Sequence, residues 1–174
     1  EFPGVGTWNA PDGRLNRIFG RPMETGSSPR DTAMNVVRNW SGIWGLTPKN
    51  LMLAGPFPGD DRTEQTLMWD QSTETYKFTA VYFKQNVQGV PVYNSRLQVL
   101  VRNDSGYPAV SIGTDLRNVE ALVGTSKPVG IDRSLVDARA TDFLGTGFVY
   151  VSEPELVVYA GYDFDSVPAS FAYV

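Results

Sequence analysis

From Tyr76 to Asp115 the sequence keeps a two-residue period that lapses only where turn residues fall. Tyr76 to Gln85 alternates and is rich in aromatic and β-branched side chains, the composition of a long strand. Asn86-Val87-Gln88-Gly89 supplies turn chemistry, and Val90-Pro91-Val92-Tyr93 resumes extended structure. Leu97, Val99 and Val101 then fall on one face, with Gln98, Leu100 and Arg102 on the other. Asn103-Asp104-Ser105-Gly106 reads as a hairpin turn with glycine where a positive φ is expected, and Ala109 to Asp115 returns as the next strand. Strands joined by such short turns run antiparallel. The segment predicts an antiparallel meander.

Upstream the period is helical. Ser28 is an N-cap, Pro29 takes the first helical position and Asp31 sits in the first turn. Ala33, Val36, Val37, Trp40, Ile43 and Trp44 share one face, so the spacing predicts a helix over Pro29 to Trp44, stopped by Gly45 and packed on one face of the meander. Leu67, Met68 and Trp69 form a short strand. The first 28 residues read as loop, broken by Pro3, Gly4, Gly6, Pro11, Gly13, Gly20, Pro22 and Gly26, with room for a strand only at Arg14 to Phe19.

A break falls at Gly124 to Gly130. Beyond it, Ile131 and Leu135 can staple a helix capped by Asp132 and running to about Leu144, with Val136, Ala140, Phe143 and Leu144 apolar. Strands are expected at 148–151, 155–159 and 170–174. The fold class expected is therefore α+β, with two helix-on-antiparallel-sheet subdomains: an extended segment over 1–27, one unit over 28–122 and a second over 123–174. Phe171-Ala172-Tyr173-Val174 is strand sequence with no polar tail, which makes the chain read as a fragment of something longer.

Composition limits the chemistry. The 174 residues include no histidine and no cysteine. That removes imidazole acid–base work, His- or Cys-based nucleophiles, His-ligated zinc or haem, iron–sulfur sites and disulfides. Fifteen basic and nineteen acidic residues give a net charge of −4 without a basic run, which argues against nucleic acid as a partner. Apolar runs such as Leu51-Met52-Leu53-Ala54 are too short to cross a bilayer, and none of these 174 residues reads as a signal peptide, which leaves open one removed before Glu1.

The remaining candidates are weak as chemistry. Asp163-Phe164-Asp165-Ser166 could begin a calcium loop, but the glycine and bidentate glutamate of an EF-hand are missing, and it reads as a turn. Gly59-Asp60-Asp61-Arg62 reads as a surface loop. Ser126-Lys127 lies in a linker, where a lysine base would not be desolvated. No catalytic, cofactor or metal residues are assigned. Trp40, Trp44, Trp69, Tyr76, Phe78, Tyr82, Phe83 and Tyr93 are dense, and are expected to fill a helix–sheet interface, with an exposed subset available for protein binding.

The stretch Tyr82-Phe83-Lys84-Gln85-Asn86-Val87-Gln88-Gly89-Val90-Pro91-Val92 resembles the core of the fungalysin/thermolysin-type metallopeptidase propeptide, with its aromatic strand, glutamine, glycine and apolar-Pro-Val. Leu97-Gln98-Val99-Leu100-Val101, the Asp104-Ser105-Gly106 turn, Val110-Ser111-Ile112-Gly113 and the approach Trp44-Gly45-Leu46-Thr47 follow the same order. Glu155-Leu156-Val157-Val158-Tyr159 and Phe171-Ala172-Tyr173-Val174 resemble the PepSY-like half that follows in that family. The resemblance departs where the family often has a histidine in the long strand, here Thr79-Ala80-Val81, and in a turn one residue longer than Asp-Gly.

The resemblance implies an FTP-like subdomain followed by a PepSY-like one, in a cystatin-like arrangement. It implies a non-catalytic propeptide, secreted or at the cell surface, that assists folding of a zinc metallopeptidase domain in the same precursor and inhibits it. Tyr82, Gln85, Gly89, Pro91, Val92 and Gly106 carry the family motif and are expected to be structural first. The alternative is a free-standing module that binds a protein or peptide through a strand edge or aromatic patch.

Overall fold

The computed structural model describes residues 4–11, 13–57, 59–122, 124–130, 132–161 and 167–174. Ile131 and the Asp163-Phe164-Asp165-Ser166 loop lie outside the described residues.

The α+β class is correct: a large antiparallel sheet carries one helix on one face. Its strands are β1 (Val5–Asn9), β2 (Leu15–Gly20), β3 (Leu51–Leu53), β4 (Glu64–Asp70), β5 (Thr75–Val87), β6 (Val90–Pro91), β7 (Arg96–Arg102) and β8 (Ala109–Asp115). The spatial order is β1-β2-β8-β7-β5-β3, with β4 and β6 also pairing with β5. The predicted β5–β7–β8 meander is present, and β4 is longer than the three residues expected.

The N-terminal segment differs from expectation. It forms the β1–β2 hairpin, and β2 joins β8 through Arg17↔Gly113, Ile18↔Ile112 and Phe19↔Ser111. Gly6 is compatible with a strand because Phe19 lays its ring over it; a Cβ there would stand 2.7 Å from Phe19 Cζ. A glycine covered by a cross-strand aromatic loses less than a bare one.

Helix α1 (Pro29–Trp40) begins as its sequence dictates, with the Ser28 side chain accepting from the Asp31 N–H at 3.1 Å. Residues Ser41–Trp44, expected as helix, form a 3-10 turn closed by Gly45 in the left-handed region at φ 68°. Gly42 is a weaker helix former than the residues before it, and bonding to the third residue on tightens the end. Ala33, Val36 and Val37 pack on Ile18, Val81, Phe83, Leu97, Val99 and Ile112. Burying each of these valines contributes about 1.5–3 kcal/mol.

Downstream, α2 (Arg133–Leu144) has the Asp132 cap foreseen, but buries no residue. Phe143 is 88% exposed, and Leu135 and Leu144 are also exposed. Polar contacts hold its neighbourhood instead: Arg133 pairs with Asp137 and Glu153, and its guanidinium lies 4.4 Å over the Tyr150 ring. Residues 148–151, expected as strand, form none. Tyr150 donates to Asp137 at 2.8 Å and meets Phe148 edge-on, which ties the segment back to the helix.

Strands β9 (Leu156–Tyr159) and β10 (Ser170–Tyr173) form a two-stranded antiparallel sheet. It joins the large sheet through a parallel bridge, Val92↔Val158, and a bond from the Tyr93 N–H to the Val158 carbonyl at 2.8 Å. Val90, Val92, Leu122, Val158, Ala160 and Ala169 bury a second, smaller core there. Among the described residues no helix is long and apolar enough to cross a membrane.

Candidate functional site

Four of the six residues that carry the resemblance, Gln85, Gly89, Pro91 and Val92, gather at the end of β5, where the two sheets meet. Gln85 is 1% exposed. Its side-chain carbonyl accepts from the Arg117 N–H at 2.8 Å, and its amide donates to the Arg117 carbonyl at 3.0 Å. One side chain thus substitutes for a strand partner and holds the chain as it leaves β8. The Gln85 N–H donates to Ser95 Oγ at 3.0 Å, the Ser95 hydroxyl donates to the Val92 carbonyl at 2.9 Å, and the Val92 N–H donates to the Gln85 carbonyl at 2.8 Å. A closed ring of this kind satisfies buried polar groups that would otherwise each be costly.

The turn between β5 and β6 is specified with equal economy. Gln88 and Gly89 both have positive φ, at 54° and 80°. That pair of conformations defines the hairpin turn whose twist matches the flanking strands. Asn86 Oδ1 accepts from the Gly89 N–H at 3.2 Å, while Asn86 Nδ2 donates to the Lys49 carbonyl at 3.0 Å. Pro91 pairs opposite Asn86 on the two-residue β6, where the missing N–H shortens the ladder. Val92, 1% exposed, is the bridge to β9.

Tyr82 and Gly106 lie apart from this joint. Tyr82 is on the opposite sheet face from α1, donates to Gln65 Oε1 at 2.9 Å, and has its phenol pKa raised by burial. Gly106, at φ 78°, turns the β7–β8 hairpin.

Two cavities flank the joint. One, of about 620 Å³, lies between the β1–β2 hairpin, the 3-10 turn at Trp44 and the β8 exit, with Gln85 in its wall. The other, of about 310 Å³, is lined by Phe57, Lys84, Arg96, Asp115, Arg117 and Glu155. Asp115 faces Arg117 at 3.3 Å. Gln85 commits both polar ends to the Arg117 main chain, and so serves the joint as a clamp. Among the described residues no three or more Asp or Glu gather as a metal-binding group. In the 59–62 loop, Asp60 clasps Arg62 at 2.9 Å, and those hydrogen bonds hold its carboxyl below the usual range.

The aromatic residues divide. Trp40, Trp44 and Phe83 pack in the α1–sheet core. Trp69 and Tyr76, expected in that interface, are instead exposed, with ring centroids 5.0 Å apart in an edge-on pair. Their cross-strand register sets them on the far face together with Phe78 and Tyr82, which are likewise expected in the helix–sheet interface and instead point away from α1.

Sequence reasoning marked Gln85 but missed its partners Ser95 and Arg117. Arg117 lies 32 residues away and carries no local signal, because the contact is to its main chain. Searches against protein-family models, curated proteins and solved structures find no match to this chain.

Proposed function

We propose that this chain is the non-catalytic propeptide part of a secreted zinc metallopeptidase, assisting the folding of the peptidase domain in its own precursor and blocking its cleft until removed. The observation that carries the reading is the joint. Gln85, Gly89, Pro91 and Val92, four of the six residues through which the sequence resembles such propeptides, form one connected unit, buried at Gln85 and Val92, that couples a helix-covered meander to a second small sheet. Residues scattered through the fold would have given the resemblance no structural meaning.

The absence of histidine and cysteine fits a role in which zinc chemistry belongs to the partner. A propeptide acts by presenting a preformed surface that lowers the folding barrier of its partner, and this chain offers a broad antiparallel sheet for that purpose.

The free-standing binding module remains a second reading, favoured by the exposed Trp69–Tyr76 pair. Refolding separates them. The denatured peptidase domain of the precursor should recover activity faster, or in higher yield, with the purified chain present. Equal recovery with and without the chain would leave the binding module as the better reading.

A further inference from the structure

The larger cavity, about 620 Å³, falls within the roughly 300–1,000 Å³ of pockets that enclose a small ligand. Its walls are fixed by the protein's own contacts. Trp44 packs against the main core and lines the cavity, with its indole N–H held on the Leu15 carbonyl at 3.1 Å. Thr114 donates to the same carbonyl at 2.9 Å, and Asn16 Nδ2 donates to the Thr114 carbonyl at 2.5 Å. Leu15, Ile43, Leu46, Leu116 and Val119 complete an apolar lining around the Trp44 ring.

The polar groups of the lining are only partly used. Asn50 Oδ1 accepts from the Thr47 N–H and hydroxyl, and Asn118 Oδ1 accepts from the Glu120 N–H. Among the described residues, Nδ2 of Asn50, Nδ2 of Asn118, Oδ1 of Asn16 and the Glu120 carboxylate meet no partner. The cavity therefore offers both donors and acceptors. Its charges cancel, with Arg14 and Arg117 against Asp115 and Glu120. Both cations are engaged: Arg14 donates to the Leu116 carbonyl, and Arg117 reaches the Asn94 carbonyl and Asp115, each at 3.3 Å. Arg96, opposite Asp115 in register, lines the smaller cavity, and Lys49, beside Asn50, lines neither.

This lining selects among ligands. An anion such as a phosphate would meet two carboxylates and cations already held by the protein. A wholly apolar molecule would desolvate the amides and Glu120 without giving them partners, which is costly. An extended peptide needs a free strand edge, and β2 and β8, which border the cavity, are each paired on both sides. A neutral sugar fits: its hydroxyls both donate and accept, and the weakly positive C–H face of its ring suits the negative face of an indole. We propose that this cavity binds a neutral saccharide, with Trp44 beneath the sugar ring and Asn16, Asn50, Asn118 and Glu120 on its hydroxyls. The site lies wholly on this chain, so it stands whether or not the propeptide reading does.

The test titrates maltose, cellobiose and N,N′-diacetylchitobiose, to high millimolar concentration, into the isotopically labelled chain and follows the indole N–H signals by NMR. The Trp44 signal is the one lost in Trp44→Phe. At least one disaccharide should shift it saturably while the signals of the exposed Trp8 and Trp69 stay still. Glu120→Ala alters an exposed side chain, so it should keep the melting temperature and raise the dissociation constant about tenfold. Lys127→Gln, in the exposed linker, should change neither. If none of the sugars moves the Trp44 signal, the proposal is overturned. It is equally overturned by sugar binding that is unchanged in both Glu120→Ala and Trp44→Phe, or that shifts only Trp8 or Trp69. A neutral capped trialanine that saturates the Trp44 shift at lower concentration than any sugar would assign the cavity to a peptide and overturn it as well.

Discussion

The Gln85 carboxamide grips the Arg117 main chain from both sides, accepting at 2.8 Å and donating at 3.0 Å, in a region excluded from water. Replacing Gln85 by Leu keeps the volume and strands a buried N–H and a buried carbonyl. The expected loss is roughly 2–6 kcal/mol in urea unfolding, since each of the two buried unsatisfied groups costs about 1–3 kcal/mol. A loss under ~1 kcal/mol would mean that the clamp is dispensable.

Gly89 permits a test of the backbone alone. Its φ is 80°, and a Cβ added there would meet nothing within 4 Å. Gly89→Ala should therefore cost about 1–2 kcal/mol from the left-handed conformation without any clash. The check is the unfolding free energy, with the exposed Gly42→Ala as reference. Gly42 also meets nothing within 4 Å and has no positive φ, so that substitution should be neutral or stabilising.

The β4–β5 hairpin carries an acid-sensitive lock. The Asp70 carboxylate accepts from the Ser72 hydroxyl at 2.6 Å and from its N–H at 2.9 Å, and faces Lys77 at 3.1 Å. These interactions, the Ser72 hydroxyl first, lower its pKa from 3.8 to about 2. A depressed folded-state pKa stabilises the fold above the unfolded value, and that contribution is lost as pH falls from about 3.8 through about 2. Asp70→Asn should therefore lower stability near neutrality and narrow its gap to the unaltered chain as pH falls through that window. Acid titration of thermal melting reads both, and a gap independent of pH would contradict the assignment.

Helix α2 provides the opposite control. Phe143 is 88% exposed, so Phe143→Ser should change stability by less than about 0.5 kcal/mol. A loss of ~2 kcal/mol or more in the isolated chain would show that the helix packs its apolar side chains in solution.

Much of the fold was legible because it is written locally. The Ser28-Pro29 start, the glycine turns and the alternation of Leu97, Val99 and Val101 each act within a few residues. What escaped was non-local. β1 has two glycines within and beside it, Gly4 and Gly6, and becomes a strand through β2 and the Phe19 ring. The apolar residues of α2 look like a core stripe in sequence, yet none is buried. At the joint, Gln85 could be singled out from its motif, but a side chain bonding to a main chain 32 residues on leaves no trace in residue types.

The most direct measurement is a titration of the purified chain into the zinc peptidase domain of its own precursor, following hydrolysis of a peptide substrate. The account predicts saturable inhibition that rises with chain concentration. An undiminished rate at large molar excess of the folded chain would contradict it.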